Sequence, residues 1–442
     1  MLREPDYRRL FIGRTASLVG DGIAPVAIAF AVLDLTGSPT DLGIVLAAHS
    51  LVITALVLVG GVFADRISPR LAMLRADLTR MTATGVLAAL LLTGAVEIWQ
   101  LALLYAINGA ATAFFNPASN AIVPQVVPAR RLQEATALLN LSRAAGNVAG
   151  PALAGLLLAL GSPGAALAVD AATFAVSAAC LLGVRAPRLR PAGAVNAFGA
   201  ELRQGWREFS RRRWLVAIVV SAAISNALFF PAFQVLGPTV AREHLGGSSS
   251  WALIAAMWGV GGVLGGGLAL AVRPRRPLLL GEGFIVIFAL PVALLAIPAA
   301  TVPIALGALV GGTAIGLGEV LYETVAAQTI PQETLSRVMA YDWFGSLVLQ
   351  PLGLLAVGPI AAGLGVSPTL WLAAAAPDRG GGLRVLPSFG PHSGTNDGSA
   401  GGRTVQSVRS TASAALKPLM PWAPAPGGVA AEQMKTPEMP VR

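Results

Sequence analysis

Apolar and polar positions alternate along this chain in long blocks. Apolar runs of spanning length fall at about 10–33, 42–64, 71–94, 98–116, 132–160, 164–184, 214–237, 251–272, 277–298, 302–327 and 335–361, separated by polar turns. Each is close to the roughly 20 residues a helix needs to cross a bilayer core. A twelfth run starts at Pro368 and stops after LWLAAAA. The opening MLREPDYRRL is basic and superficially suits a secretory signal, but the run behind it continues past Asp21 to about Leu33 with no small-residue cleavage site. It is therefore expected to stay as the first spanning helix.

The arginines set an orientation. With the N-terminus inside, Arg8, Arg9, Arg66, Arg70, Arg130, Arg131, the 185–213 segment, Arg273, Arg275, Arg276 and Arg337 all lie on the cytoplasmic side. The opposite turns carry Asp34, Asp41, Glu97 and Glu243, with Arg242 as the one exception. The positive-inside rule then predicts a multi-pass membrane protein with a cytoplasmic N-terminus.

Composition agrees and excludes alternatives. Hydrophobic residues make up 55% and charged ones 12%, about half the charge of a soluble domain. The net charge of +9 is strung between apolar runs rather than gathered into a patch, so no nucleic-acid partner is expected. The single cysteine, Cys180, forms no internal disulfide, and neither it nor the isolated His49 and His244 suggests a metal site. No nucleophile with a base, no metal cluster and no phosphate-binding loop is present, so neither an enzyme nor an ATP-driven pump is expected.

Residues 185–213 form the longest polar segment between runs. Phe198, Leu202, Trp206 and Phe209 recur there at helical spacing, with Arg203, Arg207 and Arg211 between them. That pattern suits an amphipathic helix on an anionic inner leaflet, or else a solvated linker. The segment divides the chain into an N-terminal half, 1–184, and a C-terminal half, 214–376. The halves repeat: Pro124–Gln125 returns as Pro331–Gln332, with Arg130 matched by Arg337 and Arg66 by Arg273 at the same spacing. One residue further on, Gly150–Pro151 and Gly155 return as Gly358–Pro359 and Gly363. Two parallel six-helix halves are the architecture such a repeat describes.

The turn GGVFADRISPR at 60–70 resembles the G-x-x-x-D-R-x-G-R loop of the major facilitator superfamily, with Gly61, Asp65 and Arg66 in register and Ser68 and Pro69 departing from it. Arg14 with Gly20–Asp21, Asp77 with Arg80, FFNPASNAIVPQVVP at 114–128 and GNVAGPALAG at 146–155 extend the resemblance over about residues 1–376. Within the family the chain is similar to bacterial siderophore and drug exporters, the branch of the enterobactin exporter. The resemblance implies an all-α integral membrane fold of about twelve spans in two halves that rock about a central cavity. It also implies a monomer that moves small molecules on the proton motive force, with no bound cofactor. Gly146, Gly150, Pro151 and Gly155 match the antiporter signature, which favours export. An uptake carrier or facilitator of the same fold is the alternative.

Ionisable side chains inside a membrane helix are costly and ask for a reason. Asp21, with Arg14 two turns below it on one face, is the first candidate for proton coupling; a structural ion pair with Arg14 or another helix is the alternative. Glu319 and Glu323, four apart on one face, resist ionising together and could bind a cation or carry protons. Glu323 could equally pair with Arg337, and Asp170 either lines the cavity or serves packing. Asp65 is expected to face the helix start near Ser336, where free amides and Arg337 would hold it as a latch, with Arg66 and Arg70 either supporting the latch or obeying the charge rule. Gly150–Pro151 and Gly358–Pro359 are expected at a bending interface between the halves. Trp251, Trp258, Phe229, Phe230 and Phe233 either face the cavity or pack.

After Ala376 the pattern breaks. PDRGGGLRVLPSFGPHSGTNDGSAGG and a Pro-, Gly- and Ser-rich tail follow where a span should mirror 164–184. Residues 377–442 read as a disordered tail, and a shift of reading frame near Pro377 would account for it; sequencing the gene there decides the point. If the tail is native, the broken last span leaves a transport-inactive membrane protein as a further reading.

Overall fold

The structure, a computed structural model, describes residues 2–66, 68–185, 198–272, 274, 277, 287, 289–297 and 300–379, without the side chains of 57–66, 198–202, 332, 333, 336 and 376–379. The tail read from the sequence therefore lies, from residue 380 onward, outside the described residues. The described elements are helical throughout.

The first half contains α1 (Pro5–Thr36), α2 (Pro39–Arg66), α3 (Pro69–Thr93), α4 (Ile98–Ala121), α5 (Leu132–Leu160) and α6 (Pro163–Leu182). Their ends follow local chemistry. Pro163 opens α6 behind Ser162, whose hydroxyl accepts from the Ala165 amide, and Ser68 with Pro69 does the same for α3. α1 closes on Gly37, at φ +67°, and α3 on Gly94, at φ +70°, a conformation that only glycine adopts without strain. Glu97 and Gln100 form a reciprocal capping box on α4.

Between the halves, α7 (Phe198–Ser210) forms in the segment read as amphipathic. It seats on the second half. Phe209 is buried, Gly205 abuts Tyr341, and the Trp206 ring lies 5.6 Å from that of Tyr341. Part of its apolar face is thus covered by protein, while Trp206 stays 53% exposed.

The second half begins with α8 (Arg213–Pro231), which continues through a π-turn at Ala232–Leu236 into Gly237–His244. There follow α9 (Ser248–Ala271), α10 (Leu290–Ala296), α11 (Thr301–Thr329), α12 (Gln332–Leu347), α13 (Gln350–Leu364) and α14 (Val366–Arg379). Phe229, Phe233 and Trp251 are buried and stack together, with Trp258 5.3 Å from Phe233, so this group is packing within the half.

Nine stretches of helix among the described residues are long and apolar enough to cross a membrane, against twelve spans expected. α3 has the length, but Asp77 and Arg80 lower its hydropathy. Most of 273–288 lies outside the described residues, and α14 has 14 residues, of which Val366–Ala375 is apolar.

Because lipid is as apolar as leucine, close backbone approach rather than hydrophobic burial holds such helices together. The halves meet along α2 with α13 and α5 with α9. A Cβ on Gly358 would stand 2.4 Å from the Thr40 Cα, and one on Gly155 would stand 2.4 Å from the Ala252 Cβ. Both crossings lie toward the end of the bundle that bears the Gly37 turn, called here the far end; the N-terminus marks the near end.

Candidate functional site

The site is built on Arg80, one turn after Asp77 on α3. A three-residue helical spacing puts both on one face, and both are fully buried. The Arg80 guanidinium donates to Asp77 Oδ1 at 2.5 Å, to Asp21 Oδ1 on α1 at 3.3 Å and to Ser17 Oγ at 3.5 Å. Ser177 on α6 donates to the other Asp77 oxygen at 2.6 Å. The guanidinium carbon lies 4.1 Å from the centre of the Phe115 ring and 4.4 Å from that of Phe174. Such a sandwich is worth up to ~2 kcal/mol when dry, and with two carboxylates it offsets the cost of burying an arginine in a membrane.

Asp21 differs from its partners. Its side chain is 39% exposed although it sits midway along α1, so it faces space inside the bundle while Asp77 is sealed. The central element thus has a dry side and an accessible side, joined by one guanidinium.

Arg14 takes another place than the one expected. It donates to the Ser119 carbonyl at 3.0 Å and reaches Asn120 Oδ1 at 3.5 Å, at the C-terminal end of α4. Two turns separate Arg14 from Asp21 along α1, about 10 Å of rise, whereas the α4 carbonyls lie beside it and the helix dipole favours a cation there. The carboxylate's partner is Arg80.

Asp170 on α6 is completely buried, and neither carboxylate oxygen has a hydrogen-bond partner. It packs over Gly20 and beside a small cavity that Thr84, Tyr105 and Asn108 also line.

In the second half, Glu319 and Glu323 are exposed on α11. Glu319 lies within electrostatic reach of Glu323 on its own helix and of Arg143 of α5. Arg337 donates to Gln204 of α7 at 2.8 Å rather than pairing with Glu323. Tyr322 donates to the buried Asp342 at 2.6 Å.

Of the latch residues, the side chains of Asp65, Arg66 and Ser336, with Gly61, lie outside the described residues. Arg70 donates to the Leu181 and Leu182 carbonyls at 2.8 and 2.7 Å, closing the end of α6. Gly146 and Gly150 do not sit between the halves. They face Leu18 and Gly22 of α1 within their own half, while the adjoining face of α5 meets α9 at Asn147, against Gly259, and at Gly155, against Ala252. Pro151 lies buried inside α5 beside Gly22, and Pro359 follows Gly358 within α13.

Arg242, the exception among the far-end turns, is paired with Asp34 at 3.3 Å, joining α8 of one half to α1 of the other. Arg80, Asp77, Arg143 and Asp342 join this candidate arrangement without having been singled out for it from the sequence. The Asp-x-x-Arg spacing inside an apolar run was the available signal for the first two; Arg143 and Asp342 acquire meaning only from what faces them.

Known proteins share the family and the fold of this chain. A family model described as Major Facilitator Superfamily matches residues 10–354. Macrolide efflux protein A of Streptococcus pyogenes is 24% identical over 268 residues, 60% of this chain and 66% of that protein, so the match spans just under two thirds of that relative's length. The multidrug efflux pump Tap of Mycolicibacterium fortuitum is 28% identical over 83% of this chain and 91% of its own. Among solved structures, a mutant form of the nucleoside transporter NupG superposes with a TM-score of 0.73 at 12% identity, covering 86% of this chain and all of that one. A bacterial homologue of the human lysosomal transporter Spinster, inward-facing and unoccupied, does so with 0.64 at 18%, covering 86% and 93%. At such identities the structural likeness speaks for the fold.

Proposed function

This chain belongs to the Major Facilitator Superfamily, and from that premise we propose that it is a proton-coupled exporter of small amphiphilic molecules, working as a monomer in a bacterial inner membrane with its near end cytoplasmic. The carrying observation is the Asp21–Arg80–Asp77 element, a buried cation shared between a sealed carboxylate and one open to the interior. A proton arriving on Asp21 cancels its charge and leaves Arg80 to Asp77 alone, which loosens α1 from α3. A proton leaving restores the tie. That is a two-state element biased by protonation, as coupling requires.

Direction rests on the efflux relatives, and the packed far end with an accessible Asp21 suits a carrier open toward the cytoplasm. Drugs such as macrolides and also siderophores fit the reading; Glu319, Glu323 and Arg143 would then meet the substrate in the central space.

The test is accumulation of ethidium and of a labelled macrolide in pump-deficient cells expressing the full chain. We expect lower accumulation, abolished by a protonophore and by Asp21→Asn. Unchanged accumulation of both probes with the protein confirmed in the membrane overturns export of this class, and protonophore-insensitive efflux overturns the coupling.

A further inference from the structure

We propose that Asp170 is a second proton-binding site of this chain, carried as the neutral carboxylic acid beside a small cavity. The inference rests on the proton-coupled reading for its use, but not for its test.

Three observations carry it. Asp170 is fully buried and neither oxygen is paired in the structure, the nearby Thr173 hydroxyl donating instead to the Asp170 backbone carbonyl at 2.7 Å. An isolated carboxylate anion in so dry a place costs far more than a proton does, and such a group is found neutral instead. Next, the place is shaped for it: a Cβ on Gly20 would fall 2.3 Å from Asp170 Oδ1, so the absent side chain on α1 is what admits the carboxyl. Last, the carboxyl borders a cavity with room for about one water, lined also by Thr84, Tyr105 and Asn108 among apolar neighbours. Asn108 donates to Thr84 at 3.2 Å, which leaves its carbonyl oxygen to hold that water.

Among the described residues, charged or titratable groups lie near the site on four helices. Asp21 comes from α1, Arg80 and Asp77 from α3, and Tyr105 from α4, with the ring of His49 on α2 4.1 Å behind Tyr105. Arg80 is already held by Asp77 and Asp21, so three ionised carboxylates would share one cation. One proton on Asp170 removes the excess charge. A metal cation fits less well, since ions that take about six oxygens would find few in so apolar a cavity.

Asp170 thus keeps its proton in the dry part of the half while Asp21, on the accessible side of Arg80, exchanges its own.

The test is infrared spectroscopy of the full chain in lipid vesicles, which needs no transported substrate and so can fail while export holds, or hold while export fails. At pH 7 we expect a protonated-carboxyl C=O band that shifts in D2O, persists in Asp21→Asn and is lost in Asp170→Asn. A band unchanged in Asp170→Asn, one that never shifts in D2O, or one abolished in wild type by adding NaCl would each overturn the inference, the last in favour of a sodium site. Should Asp170→Asn not elute as a folded monomer, Asp170→Glu, which keeps the acid and displaces the band, reads the same point.

Discussion

Arg80 makes contacts with α1 and α3 side chains and two aromatic rings, and its removal leaves Asp77 buried with only Ser177. Breaking a buried ion pair from one side costs about 3–5 kcal/mol. Arg80→Ala is therefore expected to lower the unfolding temperature of the purified chain in detergent by several degrees, with Asp77→Asn on the same background recovering part of the loss. A loss that the second substitution deepens would contradict this account. At this scale the sequence was legible in kind but not in partnership. It marked Asp21 and Arg14 as costly residues that need a reason, yet helical phase along one element cannot tell which neighbouring element supplies the partner. Ser119 took Arg14, and Arg80 took Asp21.

Helix ends and crossings obey short-range rules. Pro at the first turn, Ser before it and Gly after the last turn mark boundaries well, because they act through the backbone of their own segment. Crossing partners are another matter, since the same glycine signature serves a contact within one half at Gly150 and between halves at Gly155 and Gly358. Gly358→Val would drive methyl groups into the Thr40 backbone and separate α13 from α2 at the far end. A cysteine placed at Thr40 should then react with a membrane-impermeant maleimide several-fold faster than in the Gly358 background. Equal rates would mean that this crossing does not close the far end.

For the whole molecule, the halves are tied at the far end by glycine crossings and by Asp34–Arg242. The ion pair is exposed and contributes about 0–1 kcal/mol, so its use is to report or trap a state rather than to stabilise the fold. Asp34→Cys with Arg242→Cys, in a Cys180→Ala background, is expected to stop efflux of ethidium under oxidation and release it on reduction. Efflux that continues with the cross-link formed would show that this end need not part.

The blocks of apolar sequence, the arginine bias and the internal repeat determined the membrane class and the helical architecture, because a bilayer imposes length and charge rules that act on the chain locally, and the motifs at 60–70, 114–128 and 146–155 carried the family resemblance. Tertiary structure alone decided that Arg80 joins Asp21 to Asp77, that Asp170 sits buried over Gly20, that Arg143 comes within electrostatic reach of Glu319 and that Arg242 answers Asp34. Each of these depends on which helix face meets which across tens or hundreds of residues of chain, and neither composition nor period encodes that meeting.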